Sequence, residues 1–238
     1  FMKEALRGAN RYVADIMDYT VSSRGKGIRP MLVFLFSGIH SLHEGIGKRA
    51  YLAAMLVEMI HNASLVHDDV VDQSDTRHGK PTVNYKWNNQ VSVLAGDYIL
   101  ARSFTAGMQS GQFDLVSYIT SGVSELAEGE LIQNDVRDRH DFSREEYMNI
   151  IFKKTATLLG LSCGSGAMSA GASMTPVGIA RQVGINLGMA FQIKDDILDF
   201  APESQTGKPT CADLREGKVT LPLIALLEKS DDLQKRLI

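Results

Sequence analysis

From Lys48 to about Val71 the chain runs without a glycine or a proline. Nothing in that stretch breaks a helix, so it reads as one long helix. Other helices are bounded by their own punctuation. Arg29-Pro30 starts an apolar run from Met31 to Phe36, hydrophobic on every side and therefore expected to be buried. Ser143-Arg144-Glu145-Glu146 is a capping box, and the helix it opens carries Lys153 and Lys154. Thr175-Pro176 opens another. Strand signals are sparse: no hairpin dipeptide separates alternating runs, and β-branched residues are scattered through helical patterns. The expectation is an all-α bundle of long helices without repeats or low-complexity segments.

With 238 residues and no linker-like shift in composition, residues 1–238 read as a single domain. The formal net charge of −3 leaves no general basic field, so nucleic acid is not an expected partner and any anion site must be built from a few placed cations. Cys163 and Cys211 are the only cysteines, far apart and without metal-ligand spacing, which fits a reducing cytoplasm. The apolar stretch from Tyr51 to Val66 is interrupted by Glu58, His61 and Asn62 well short of a membrane-spanning length. No signal peptide is recognisable, and a soluble protein is expected. The chain opens Phe1-Met2 and stops at Ile238 without a helix-stop signal, as a trimmed version of a longer protein would.

Two aspartate clusters of identical spacing carry the chemistry: Asp68-Asp69-Val70-Val71-Asp72 and Asp195-Asp196-Ile197-Leu198-Asp199, each at the end of an apolar helical stretch. At 100° per residue the first, second and fifth positions fall in one arc, so each cluster is expected to aim three carboxylates one way. Stacked like charges repel by a few tenths of a kcal/mol per pair, and at a helix C-terminus they also oppose the macrodipole. A cation offsets both costs. Oxygen-only ligands suit Mg²⁺, which keeps waters and takes one or two carboxylates plus substrate phosphates. Facing one another across a cavity, two such clusters would bind cations from both sides. Beneath Asp195 lie Gly188 and Gly184, and beneath Asp68 lie Ser64, His61 and Val57; small residues there imply space.

Cations recur near these clusters. Gly25-Lys26-Gly27-Ile28-Arg29-Pro30 sets two of them three apart beside glycines that let backbone approach an anion, although it also reads as an ordinary loop and cap. Arg77-His78-Gly79-Lys80-Pro81 closely follows the first cluster. Lys154-Thr155 pairs an ammonium with a hydroxyl, and Gln192 lies one turn before Asp195. Gly207-Lys208-Pro209 and Glu216-Gly217-Lys218 flank Asp213 as a flap would, or as plain surface loops.

In order along the chain, GKGIRP, EMIHNASLVHDDVVD, RHGKPT, GDY, EGELIQ, KT, GMAFQIKDDILD, GKP and EGKVTLP resemble the trans-type isoprenyl diphosphate synthases, the polyprenyl synthetase family, from Gly25 to about Leu223. The resemblance implies an isoprenoid synthase fold, a single domain with helices around a central apolar cavity and further helices beyond Ile238. It implies a prenyltransferase condensing isopentenyl diphosphate with an allylic diphosphate, as a cytoplasmic homodimer with about three Mg²⁺ ions per site and transient membrane contact for product release. Carried onto this chain, it implies that Asp68, Asp72 and Asp195 ligate Mg²⁺, with Asp69, Asp196 and Asp199 completing the clusters. Arg77, Lys154, Gln192, Lys208 and Lys218, with Thr155, would grip the allylic diphosphate; Lys26, Arg29 and His61 would hold isopentenyl diphosphate. The small Ala63 and Ser64 stand where short-chain members often place bulky groups, and the next turns down pass Ile60, Val57 and Ala53, each turn about 5.4 Å deeper. An open floor of that kind points to a product of C20 or longer, unless a residue such as Phe104 closes it.

Three other readings remain at this point: a non-catalytic subunit of a heteromeric synthase, a terpene cyclase, and an HD-type phosphohydrolase suggested by His67-Asp68. Intact clusters and cations disfavour the first. The second leaves GKGIRP and His61 without a second diphosphate, and the third needs a histidine ligand although His67 points about 100° away from Asp68 on a helix.

His78 stands where the family usually has a second arginine that helps hold isopentenyl diphosphate. Imidazole is shorter than guanidinium and loses its charge as pH rises. The Michaelis constant for isopentenyl diphosphate should therefore climb between pH 6 and about 9 in the native chain relative to a His78→Arg variant. Equal constants across that range would remove the idea.

Overall fold

The computed structural model describes residues 2–8, 10–22, 25–41, 45–77, 79–139, 142–202, 210–215 and 217–230. Most of them are helical. In chain order they are α1 (Met2–Ala5), α2 (Arg11–Ser22), α3 (Ile28–His40), α4 (Lys48–Val71), α5 (Val83–Lys86), α6 (Asn89–Gln109), α7 (Phe113–Arg139), α8 (Arg144–Ile151), α9 (Thr157–Ser169), α10 (Met174–Asp199), α11 (Ala212–Arg215) and α12 (Leu221–Lys229). The stretch free of glycine and proline is α4, unbroken as expected. The all-α class stands. Contacts group the chain into two compact units, Phe1–Val123 with Leu158–Gly184 and Ser124–Thr157 with Ile185–Ile238.

Local signals explain most boundaries. Asn88 accepts from the Val91 amide at 2.8 Å to start α6, and Ser143 accepts from the Glu146 amide at 3.2 Å to start α8. Gly27 starts α3 in the left-handed region, φ 62°, a conformation that other residues adopt only at a cost. That requirement is a conformational reason for the second glycine of GKGIRP. Thr76–Arg77 and Lys80–Pro81 pair as strands β1 and β2 of a two-stranded antiparallel hairpin with Gly79 at φ 74°, an element that no hairpin dipeptide announced.

In the first unit α4 packs along α6 and α3. Met59, Ala63 and Val66 of α4 join Ala95 and Ile99 of α6 and Ile16 and Met17 of α2 in one buried cluster. Leu32 joins Leu159, Cys163, Ala167, Val177 and Ala180 in another. The run after Pro30 is not buried on every side. Leu32 and Val33 are buried, whereas Met31, Leu35 and Ile39, spaced four apart, are more than half exposed. Apolar residues all round a helix do not ensure burial when neighbours contact only one face.

The second unit holds the chief departure from regular helix. The helix opened by Ser143 does not run through Lys153 and Lys154 as an α-helix. Phe152–Ala156 is a π-helical turn between α8 and α9. Such single turns are rare and cluster at functional sites. Tyr147, Ile151 and Ile224 form this unit's small core.

Gly184 and Gly188 do not provide the space expected beneath the second cluster. A Cβ on Gly188 would lie 2.5 Å from the Ala156 Cα, and one on Gly184 would meet the Leu159 carbonyl and lie 2.7 Å from the Gly160 Cα. They are small because α10 touches backbone there. Gly178, on the same helix, has nothing within 4 Å of such a Cβ. Gly188→Ala should therefore destabilise the protein by about 1–3 kcal/mol in urea unfolding, while Gly178→Ala should stabilise it by about 0.5–1 kcal/mol. Equal effects at the two positions would refute this account of packing.

Candidate active site

The two aspartate clusters are built alike. In each, the second carboxylate is turned inward: Asp69 is 4% exposed and Asp196 3% exposed. Asp68, Asp72 and Asp199 are half-buried and Asp195 is exposed. The expected single arc of three carboxylates is thus divided, because the 100° between the first and second positions takes the second into the core.

Asp69 is held by Arg77 of the hairpin, whose Nε and Nη2 both lie 2.7 Å from Oδ1. Asn84 adds donations to the backbone carbonyls of Asp69 and Ser74, and Thr82 donates to Ser74. Turn and helix end are thereby one hydrogen-bonded piece. Asp72 caps α4, its amide 2.8 Å from the Asp68 carbonyl. His67 is engaged elsewhere: its Nε2 lies 3.1 Å from the Val93 carbonyl and 3.4 Å from Asp97 Oδ1, over Gly96 of α6. It is occupied by α6, which removes the main support for an HD-type hydrolase.

Asp196 accepts from Tyr147 Oη at 2.7 Å and from Gln192 Nε2 at 2.8 Å. Thr155 donates to Gln192 Oε1, also at 2.8 Å. Burial pushes the Asp196 carboxyl above the ordinary carboxylate range, opposed by those two hydrogen bonds and reinforced by Asp195 and Asp199. Burial, then the bond to Asp196, likewise pushes the Tyr147 phenol up, so it stays a donor. Asp199 accepts from the Cys211 and Asp213 amides, which ties it to the start of α11.

The lysines of the π-turn meet the EGELIQ stretch. Lys153 Nζ is 2.9 Å from Glu128, and Lys154 Nζ pairs with Glu130 and donates to Gln133 at 2.8 Å. Gly129 between the two acids admits the backbone of the turn: a Cβ there would lie 2.7 Å from Lys153 Cβ and 3.2 Å from the Lys154 amide. Lys154, Thr155, Gln192, Asp196 and Lys218 line a cavity of about 200 Å³ together with Arg137, a cation that no motif flagged.

The remaining expected residues are placed as follows. Lys26 is exposed, Arg29 and His61 are half-buried. Burial pulls the Arg29 guanidinium down to about 10 against the opposing charge of Glu58, so it remains a cation at neutral pH. Burial pushes the Glu58 carboxyl up, against Arg29. Ala63 is wholly buried in the core beside Met59 and Val66, whereas Ser64 is half-buried with its hydroxyl 2.9 Å from the His61 carbonyl. Phe104 is 37% exposed. His78 and Lys208 lie outside the described residues. Sequence carries no local signal for the site positions of Tyr147 and Arg137, whereas Glu130 and Gln133 belong to the EGELIQ stretch.

Among the described residues no three or more His, Cys, Asp or Glu side chains are arranged to hold a metal ion, and no helix is long and apolar enough to cross a membrane. The donor set fits Mg²⁺ in the manner its chemistry prefers, with one or two carboxylates from a helix end and the remaining ligands from water and phosphate.

A model of the polyprenyl synthetase family matches residues 10–238. The chain is 38% identical to the all-trans-nonaprenyl-diphosphate synthase (geranyl-diphosphate specific) of Rhodobacter capsulatus, covering 100% of this chain and 73% of that one. It is 36% identical to the geranylgeranyl diphosphate synthase of Sulfolobus acidocaldarius, over 91% and 67% of the respective chains. The crystal structure of a polyprenyl synthase from Caulobacter crescentus, complexed with calcium and isoprenyl diphosphate, superposes with a TM-score of 0.88 at 31% identity, over 99% of this chain and 71% of that one. The chain belongs to the polyprenyl synthetase family, the trans-prenyl diphosphate synthases, which are prenyltransferases dependent on divalent metal.

The Arg77–Asp69 pair can be tested by itself. Arg77→Ala removes the guanidinium that faces the buried Asp69 carboxylate and should cost about 3 kcal/mol, the low end for a broken buried pair because Arg77 is itself partly exposed. Adding Asp69→Asn should recover part of that loss, measured by urea unfolding, and a double variant as unstable as the sum of the singles would overturn the pairing.

Proposed function

We propose that this chain elongates an allylic diphosphate with isopentenyl diphosphate to an all-trans polyprenyl diphosphate of C20 or longer. The observation that carries the reading is the pair of Asp-Asp-x-x-Asp helix ends, one beside Arg77 and the other on a cavity lined by Lys154 and Lys218. Asp68, Asp72, Asp195 and Asp199 are the carboxylates suited to ligate Mg²⁺, about three ions per site; Asp69 and Asp196, turned inward, hold their neighbours in place. Bound Mg²⁺ would neutralise the departing diphosphate.

The chain's own residues supply the rest. Arg77, Lys154, Lys218 and Lys208 grip the allylic diphosphate, and Lys154 exchanges Glu130 for a phosphate oxygen. Lys26, Arg29, His61 and His78 hold isopentenyl diphosphate; Arg29 Nε is buried with no hydrogen-bond partner, a donor left for an anion. The allylic C–O bond breaks with its electron pair leaving on diphosphate. The double bond of isopentenyl diphosphate attacks the resulting cation to form the new C–C bond, and a proton passes to the released diphosphate. No side-chain nucleophile is needed. Each 1.4 kcal/mol by which these cations favour the departing charge is worth about tenfold in rate.

Ser64, one turn before Asp68, is small and half-buried, and relatives named for geranylgeranyl and nonaprenyl products favour a product of that range, although Ile60, Val57 and Ala53 on the turns below are packed in the core. A homodimer in the cytoplasm, with transient membrane contact for product release, is the setting this activity suits.

Incubation with Mg²⁺, isopentenyl diphosphate and farnesyl diphosphate, followed by mass analysis of the lipids, should show products of C20 or longer. Asp68→Ala and Asp195→Ala should each lose nearly all turnover. Ser64→Phe should shorten the product, whereas Phe at Ala63 would overpack the core as well. Release of inorganic phosphate without chain extension would reject the reading.

A further inference from the structure

The cavity beside the second aspartate cluster contains a hydrogen-bonded chain with a definite direction. Thr155 Oγ1 donates to Gln192 Oε1 at 2.8 Å, Gln192 Nε2 donates to Asp196 Oδ1 at 2.8 Å, and Tyr147 Oη donates to Asp196 Oδ2 at 2.7 Å. All four side chains line the cavity. Every proton in the series points toward Asp196, which is almost wholly buried. A carboxylate there accepts and cannot donate, so it selects the amide face of Gln192: Nε2 toward Asp196, Oε1 toward Thr155. The Thr155 hydroxyl proton is thereby committed, and its oxygen lone pairs are left for the cavity. Hydrogen bonds aligned in one direction also polarise one another, which makes that oxygen more electron-rich.

We infer that Tyr147 is a positioning residue for the prenyl transfer: by fixing Asp196 it orients Gln192 and Thr155 so that a polarised oxygen faces the allylic cation as it forms. This rests on the proposed prenyltransferase reading. The geometry has identifiable causes. Tyr147 lies on α8, one turn before Ile151, and the π-turn that follows carries Thr155 to Gln192 of α10. Gly188, one turn before Gln192 on α10, allows the backbone of Ala156 to approach. The tyrosine ring belongs to the small core with Ile151 and Ile224, so its hydroxyl is held by packing.

Loss of the hydroxyl leaves Asp196 anchored by Gln192 alone, so its carboxylate can rotate and draw Gln192 out of line with Thr155. The effect belongs to the transition state, because the oxygen faces charge that exists only there. Tyr147→Phe keeps the ring and should lower the single-turnover rate of farnesyl diphosphate elongation about tenfold, with Michaelis constants for both diphosphates within about twofold of the native values. In a Gln192→Ala background the same substitution should change the rate less than about twofold, since its route to Thr155 is gone. A purely structural tyrosine would shift the thermal midpoint equally in both backgrounds and give rate effects that multiply.

A native rate retained in Tyr147→Phe, or multiplicative effects in the double variant, would overturn the inference while native chain extension leaves the functional reading intact. Absence of extension by the native chain would reject the functional reading itself. Should Tyr147→Phe unfold below the assay temperature, the four rates are compared at a lower temperature at which every variant is folded, with the same outcomes expected and the same ones overturning the inference.

Discussion

A carboxylate withdrawn from water must be met by donors, and much of the local architecture around both aspartate clusters follows from that requirement. Asp69 is met by the two prongs of Arg77. Asp196 is met by Tyr147 and Gln192. In each case the buried member lies between residues that remain nearer the surface, so the inward hydrogen bonds fix the helix end from which the outward carboxylates project. Isolated buried charges would be too costly to keep, and the pairing turns that cost into rigidity. The hairpin at Arg77 and the helix at Tyr147 are the structural price of two ordered helix ends.

Close approach of backbones is the second requirement. Gly129 admits the π-turn, Gly188 admits Ala156, and Gly184 admits Leu159 and Gly160. A π-turn inserts extra backbone into a helix and redirects the side chains after it. Here it places Lys153 and Lys154 against the acids of α7 and Thr155 against Gln192 of α10. The lysines thus rest on carboxylates rather than being free in solvent, which orders the turn beside the cavity. Preorganisation of that kind contributes to catalysis because no rearrangement is needed as charge develops.

Much of the fold was legible because helix signals are local. The continuity of α4, the capping of α8 by Ser143 and the opening of α10 near Thr175-Pro176 depend on residues within a turn of one another. The hairpin around Gly79 was not, because two-residue strands leave no alternating pattern to detect. Nor was the exposed face of α3: Met31, Leu35 and Ile39 are as apolar as Leu32 and Val33, and only the placement of neighbours separates them.

The site divides in the same way. By itself the sequence determined the family, the carboxylate-rich helix ends and the cations around them, because spacing along a helix is covalent and side-chain charge is intrinsic. Tertiary structure alone decided which aspartate of each cluster turns inward, that Gly184 and Gly188 serve packing rather than space, and that Tyr147, Glu130 and Gln133 stand beside groups distant in sequence. Those outcomes depend on which surfaces meet across the chain, and a buried hydrogen bond is specified by both partners at once.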